Sequence, residues 1–276
     1  ELMQELAKEK HVATIGAYQA MLPTETKFCK PALLPHHSLE LQGTDMAVDG
    51  MVLTTTEQRT THLCKYRDGA VCVRYEDVMN GNTQSMRELF KRPLVYIFHD
   101  TIDEASHSQN VFEVISACRK AVEQLAVIVK KLHANWNVTN VLLTADHGFL
   151  YNDMKFEEKD KHSITDIALE KKTRYYLTES TETVEGIVKF PLEKVSGIQC
   201  GNTMQVAVPV GTNRLAASGG YNFAHGGASL QEMIIPIIKS VRKKTDKTEK
   251  VGVALMSHNL NMVSSRLKFQ LIQSEA

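Results

Sequence analysis

No stretch of this sequence stays apolar for the roughly 18–20 residues a membrane-spanning helix needs, so no such helix is expected. Neither charge is in excess: Lys+Arg and Asp+Glu are both 32. That balance gives no sign of a nucleic-acid wrap or a membrane-surface protein, although a local basic groove would vanish in the average. Cysteine is scarce and poorly spaced for pairing. The 5 cysteines, Cys29, Cys64, Cys72, Cys118 and Cys200, lie far apart and form no CxxC. An odd, scattered set argues against a disulfide framework or a zinc knuckle and for free thiols in a reducing cytoplasm. The chain begins Glu1-Leu2-Met3-Gln4, with no initiator methionine and no signal-peptide pattern. That start reads as truncated, with N-terminal sequence expected ahead of it. No internal repeat is visible.

What is present is a globular share of apolar residues, 43% of 276, enough for one large domain with or without part of another. Residues 1–10 read as helical. Pro23 breaks the chain, and Thr24-Glu25-Thr26 gives a helix-start signal before Lys27–Leu34. Strands are expected at Met51–Thr55 and Ala70–Arg74, and a short helix near Thr83–Phe90. Leu94–Phe98 is a continuous apolar run, as in a buried parallel strand. Val111, Ile115, Cys118, Val122, Leu125, Val129 and Leu132 recur at helical spacing over about six turns. Val138–Thr144 reads as a second buried strand. Strand, long helix and strand form a βαβ unit, which predicts a mostly parallel sheet with helices packed on it. Charged, aperiodic 152–172 reads as a surface loop or lid. Short strands are expected at Arg174–Leu177, Gly186–Phe190, Met204–Pro209 and Ile234–Val241. Residues 243–250 form the linker, within the basic stretch Arg242–Lys250, and 251–276 the start of a β region.

Both strands of the βαβ unit end in metal-type residues, where ligands of open α/β sheets bind. The first runs into His99-Asp100-Thr101-Ile102-Asp103-Glu104-Ala105-Ser106-His107, the second into Ala145-Asp146-His147-Gly148. A carboxylate beside an imidazole at a strand end suits zinc or manganese. The ordinary alternatives are an Asp-capped turn at Asp146 and a solvated helix start at Asp103. Two such groups facing one crevice raise the joint odds of a metal site. His225, flanked by Ala224 and Gly226-Gly227, is the third element, with a flexible loop as its ordinary reading. The fourth is Leu22-Pro23-Thr24-Glu25-Thr26, where a threonine is either an N-cap or a hydroxyl that a metal could activate as a nucleophile. Arg174 and Arg214 read as surface arginines, with bidentate phosphate binding the alternative.

Taken together, LPTETKFCKPALLPH (22–36), IFHDTIDEASH (97–107), LLTADHGFLY (142–151) and AHGGASLQEMIIPI (224–237) resemble the PglZ domain family of the alkaline phosphatase superfamily, found in type 1 BREX phage-defence systems. The resemblance covers roughly residues 10–242. It implies an alkaline-phosphatase-like, mostly parallel α/β sheet with helices on both faces over residues 1–242. It implies two divalent ions, zinc first, with manganese or magnesium as alternatives. It also implies that Thr26 is the nucleophile and Asp146 and His147 hold the nucleophile-side ion. Asp103, His107 and His225 hold the other, with His107 held less firmly than Asp103. Superfamily members carry one more ligand Asp at the end of a strand before the nucleophile, and nothing in residues 1–22 reads as such a strand and Asp. The implied activity is phosphoric-ester hydrolysis, of a monoester or of a diester such as a nucleotide. The rival is a non-catalytic scaffold among other BREX proteins. Direct DNA binding is not evident, since only Arg242–Lys250 is locally basic.

Overall fold

The computed structural model describes residues 1–8, 12–106, 111–152, 157, 161–201, 203–217, 222–242, 252–256, 265 and 269–273. Two compact units divide the chain, Glu1–Arg242 and Lys243–Ala276. In the second, Val253–Leu255 pairs antiparallel with Leu271–Gln273. The proposed linker 243–250 lies outside the described residues.

In the first unit, the strand Ile234–Val241 lies between Val12–Gln19 and Asn140–Thr144 and runs antiparallel to both. One face of this sheet is covered. Leu2, Met3 and Leu6 of the first helix (Leu2–Lys8) and Val129 of the long helix (Val111–Ala134) pack on Ala13, Val141, Leu143 and Ile238. His133 pins the end of the long helix to the sheet: Nδ1 donates to the Val138 carbonyl at 2.7 Å, and the Ser240 hydroxyl donates to Nε2 at 2.9 Å. On the opposite face Leu142 is 69% exposed and Val12 46%, so that end of the sheet is open there, while Ile235 on the same face is buried.

The expected mostly parallel sheet with helices on both faces is therefore corrected. Val95–Phe98 does pair in parallel, but with Val71–Arg74, and it shares no ladder with Asn140–Thr144. The latter strand takes an antiparallel neighbour instead and alternates in burial rather than being buried throughout. Strand–helix–strand order identifies the elements, but the choice of ladder partner is made by distant segments that leave no local signal. Several further elements escape the sequence pattern, Val12–Gln19 and Thr56–Tyr66 among them. Val12–Gln19 is a strand, so the segment before Thr26 does carry one, although no aspartate lies in residues 12–22. Thr56–Tyr66 is a helix, started by a capping box in which Thr55 and Gln58 satisfy each other's backbone N–H. The long helix also buries a face offset from the expected stripe. In its first half Val114, Ala117 and Ala121 are buried while Ile115 is 38% exposed, whereas Val129 and Leu132 of the expected stripe are buried.

The largest core among the described residues lies under the segment that carries Thr26. Phe28 and Leu34, within and just after the short helix Thr26–Ala32, pack with Leu63, Phe98, Tyr175, Leu177 and Val206. Fully burying one such side chain contributes roughly 1.5–3 kcal/mol, so the helix bearing Thr26 is anchored firmly.

Candidate metal centre

The residue that enters the Thr26–Ala32 helix is Glu25, extended at φ −124° and ψ 136°, and its side chain makes no capping bond. Neither Thr24 nor Thr26 is therefore the N-cap. Thr24 is fully buried and performs a different task. Its hydroxyl donates to the Gly227 carbonyl at 2.8 Å and accepts from the Gly226 N–H at 2.9 Å. One side chain thus knots the segment before Thr26 to the loop that carries His225. Gly226 sits at φ +113°, and a Cβ there would meet the Tyr175 ring at 2.5 Å, so only glycine fits this approach.

Thr26 Oγ1 lies 3.1 Å from His147 Nε2, and Asp146 Oδ2 lies 3.6 Å from the same nitrogen. The other ring nitrogen, Nδ1, donates to the Gly148 carbonyl at 2.8 Å. A carbonyl only accepts, so the proton of a neutral ring is on Nδ1 and the lone pair is on Nε2. In a hydroxyl–imidazole–carboxylate triad the acid sits on the nitrogen opposite the hydroxyl. Here both oxygens face one nitrogen, which is how donors gather around a cation. Ligands on one tetrahedral ion with bonds of about 2.0–2.2 Å stand roughly 3.3–3.6 Å apart, close to these separations. The donors present on this side fit a zinc-type ion.

The His225 ring stacks on that of His147, with centroids 4.6 Å apart and planes 21° apart. Its Nδ1 faces the Thr24 carbonyl at 3.2 Å and Glu25 Oε2 at 3.3 Å. Both histidines therefore spend Nδ1 on the protein, as imidazoles that bind a metal through Nε2 usually do. Burial opposes the charge on His225, but the Glu25 bond and charge outweigh it and the ring is shifted up. Burial likewise opposes ionisation of Glu25, and His225 overrides it, holding the carboxyl below its usual range. Asp103 lies in the first turn of the Thr101–Ser106 helix, and its negative charge also favours protonated His225. His107 lies outside the described residues. Among the described residues no group of three or more His, Cys, Asp or Glu side chains stands at ligand spacing. Beside Asp146 and His147 the further donor is the Thr26 hydroxyl.

Glu232 and Arg174 hold the two loops from behind. Arg174 Nε and Nη2 donate to the Glu232 carboxylate at 3.1 and 2.8 Å, both side chains being wholly buried. Arg174 also donates to the carbonyls of Asn213 and Gly211. The Glu232 carboxylate accepts from the N–H groups of Gly227 and Ser229 and from the Ser229 hydroxyl. Its backbone carbonyl accepts from Gly148 N–H at 2.9 Å. Arg174 is thus neither a surface arginine nor a phosphate clamp, and Arg214 is fully buried too. His99, Asp100, His36 and His37 have other partners. Asp100, for instance, takes Lys30 at 2.6 Å, and His36 donates to Leu34 O.

A Cβ on Gly148 would lie 2.0 Å from the Gln231 carbonyl, a clash with backbone. Gly148→Ala is accordingly expected to destabilise the protein by about 1–3 kcal/mol or more, read as a lowered thermal midpoint. An unchanged midpoint would show that the 145–148 turn can move away from the 231–232 backbone.

Residues 1–240 match the family model described as BREX system PglZ alkaline phosphatase-like domain. The chain belongs to this PglZ family. It is 32% identical over 286 residues to "Alkaline phosphatase-like protein PglZ" of Bacillus cereus (strain H3081.97), covering 100% of the chain and 33% of that protein. It is 27% identical over 292 residues to "Alkaline phosphatase-like protein BrxZ" of Escherichia coli O9:H4 (strain HS), covering 99% of the chain and 33% of that protein. The chain therefore spans about a third of the length of these curated relatives. Among the described residues, no helix of this PglZ chain is long and apolar enough to cross a membrane.

The sequence motifs that carry the family likeness supply Thr26, Asp146, His147 and His225, and the fold brings these four into one neighbourhood. Sequence reasoning missed Glu25 and Glu232, and offered Thr24 only as an N-cap or an activated hydroxyl. Glutamate is an unusual choice for a helix entry, where Ser, Thr, Asp and Asn dominate, and that oddity was the available signal for Glu25.

Proposed function

We propose that this chain carries the active site of a metal-dependent phosphoric-ester hydrolase, a phosphatase or phosphodiesterase, that works in the cytoplasm in BREX phage defence. The observation that carries this reading is the convergence of Thr26 Oγ1 and Asp146 Oδ2 on His147 Nε2. Thr26, Asp146 and His147 would hold one divalent ion, and His225 with Asp103 and His107 the other. Bound ions would lower the pKa of the threonine hydroxyl and neutralise phosphoryl oxygens. Zinc suits the imidazole and carboxylate donors, with manganese or magnesium as alternatives.

In the proposed reaction the Thr26 oxygen gives up its proton and forms a bond to phosphorus. The bond from phosphorus to the leaving oxygen breaks, and that oxygen leaves as an alcohol after taking a proton. Water then cleaves the phosphothreonine, restoring the hydroxyl and releasing phosphate, or a phosphomonoester where the substrate is a diester. Thr24 and the buried Phe28 hold the attacking oxygen in place. Residues 1–242 would form the catalytic domain, 243–250 a linker and 251–276 the start of a β domain, with other BREX proteins as partners. In this reading the substrate is a phosphate ester or nucleotide, and the basic stretch Arg242–Lys250 is a linker rather than a DNA-binding surface.

The test is metal content together with hydrolysis of p-nitrophenyl phosphate and bis-p-nitrophenyl phosphate by the intact protein, beside Asp146→Ala. Bound metal, with turnover lost in the variant, is the expected result, and the preferred ester separates phosphatase from phosphodiesterase. Absence of metal from the intact protein would instead support a scaffold.

A further inference from the structure

We infer that the ester is a nucleotide, and that Phe149, Tyr151 and Phe223 form the platform on which its base stacks. This rests on the hydrolase reading above and narrows its substrate class.

The platform grows out of the two loops that hold the centre. The short strand Leu150–Tyr151 follows His147, and its antiparallel partner Phe223–Ala224 leads into His225. Tyr151 stands opposite Phe223 in the ladder, and Leu150 opposite Ala224. Leu150 and Ala224 are buried, so they face the interior. Successive side chains of a strand point to opposite faces, which puts Tyr151 and Phe223 on the other face. Phe149 and His225, each two residues along an extended chain, fall on that face with them. The ring contacts agree. Tyr151 stacks on Phe223 with centroids 4.8 Å apart and planes 23° apart, and Phe149 lies 5.7 Å from Phe223.

Core packing does not account for these rings. None of the three belongs to a hydrophobic core cluster among the described residues, and Tyr151 is 39% exposed. They are nonetheless held in place. Beyond the ladder the Asn152 N–H donates to the Asn222 carbonyl at 2.9 Å, and Asn222 Nδ2 donates to the Asn152 carbonyl at 2.7 Å. A platform fixed in advance loses little freedom when a ligand settles on it. Its position suits a base. Phe149 is two residues from His147 and Phe223 two from His225, and the two histidine rings are themselves stacked at 4.6 Å. Two residues of extended chain span about 6–7 Å, comparable to the sugar that separates a phosphate from its base. Every base offers a flat face, so stacking of this kind admits any of them. The ordinary alternative is a surface patch that another protein covers, and such a patch would not distinguish one ester from another.

The test compares two esters that differ only in the nucleoside, thymidine 5′-(p-nitrophenyl phosphate) and methyl p-nitrophenyl phosphate. Their consumption by the intact protein is followed by chromatography, for wild type, Tyr151→Ala, Tyr151→Phe and Phe223→Leu, with thermal midpoints alongside. Tyr151→Ala and Phe223→Leu should raise the KM of the thymidine ester relative to the methyl ester by roughly 5–100-fold, the range that loss of one base–ring stack gives. The kcat for the thymidine ester should hold, because stacking serves ground and transition states alike. Tyr151→Phe keeps the ring and should keep the wild-type KM. An unchanged KM ratio in folded Tyr151→Ala and Phe223→Leu would overturn the inference and leave the hydrolase reading standing. An equal rise in KM for both esters would place the p-nitrophenyl group rather than the base on the rings, and would overturn it too. A fall in kcat for both esters, tracking a lowered midpoint, would return the three aromatics to a structural role. Absence of turnover of either ester by wild type would remove the hydrolase reading itself, and this inference with it.

Discussion

Thr26→Ala in the intact protein should cut ester hydrolysis by roughly 10³-fold or more while zinc remains bound, because losing an attacking nucleophile costs at least that in comparable hydrolases. Its Oγ1 is the one hydroxyl directed at His147 Nε2 among the bonds described for that ring. The substitution removes a single oxygen and leaves Asp146 and His147 in place. Alanine is also the best helix former, so the first helical position tolerates it. Thr26→Ser should retain most of the activity. The measurement is steady-state turnover with metal content determined on the same samples. Activity within about tenfold of wild type would mean that water, rather than Thr26, attacks phosphorus, since one decade is only about 1.4 kcal/mol of barrier. Loss of turnover with binding to other BREX proteins intact would separate catalysis from scaffolding.

Arg174→Met should be the most damaging single change to stability, by about 3–5 kcal/mol. Both partners of the Arg174–Glu232 pair are fully buried, and methionine would leave a carboxylate without its counter-charge. Surface pairs such as Lys8–Glu5 at 2.6 Å contribute no more than about 1 kcal/mol, so removing Lys8 is a fair control. The pH dependence has a definite sign. Burial alone would raise the Glu232 carboxyl, but the Arg174 bond and charge, with Ser229 and Gly227, outweigh it and hold it below the usual value. A depressed folded pKa adds stability that is present above the unfolded carboxylate pKa and is lost as pH falls through the folded one. In wild type the Arg174 contribution should therefore fade as the solution is made acidic, and Arg174→Met should lose less than wild type over that same interval. Denaturant titrations at neutral and acid pH would check both the size and the sign. A loss under 1 kcal/mol would show that the loops keep their places without the pair.

The neighbourhood of Thr26, Asp146, His147 and His225 was more legible than the sheet. Asp146-His147-Gly148 and Ala224-His225-Gly226-Gly227 declare themselves because close backbone approach demands glycine beside a ligand-type side chain. The clashes at Gly148 and Gly226 give that demand its physical form. Helices with a clear apolar period were also readable, down to the 24-residue one that ends at Ala134. Strand partnership was not, since Val95–Phe98 gives no local hint that it will lie beside Val71–Arg74. Val12–Gln19 was hidden because it is exposed along most of its length, so burial never wrote an alternation into it. Arg174 was misjudged for a related reason. A lone arginine looks solvated until a buried carboxylate 58 residues away is found to be its partner.

Glu232 is bound at both ends, its side chain to the His225 loop and its backbone carbonyl to the turn after His147. The gap across which two ions would sit is therefore gauged by a residue that touches neither. A ruler of this kind has a fixed length, set by covalent geometry rather than by soft packing. The protein can change what its loops present while the aperture stays constant, and drift in sequence at the rim need not alter the spacing on which two-ion chemistry depends.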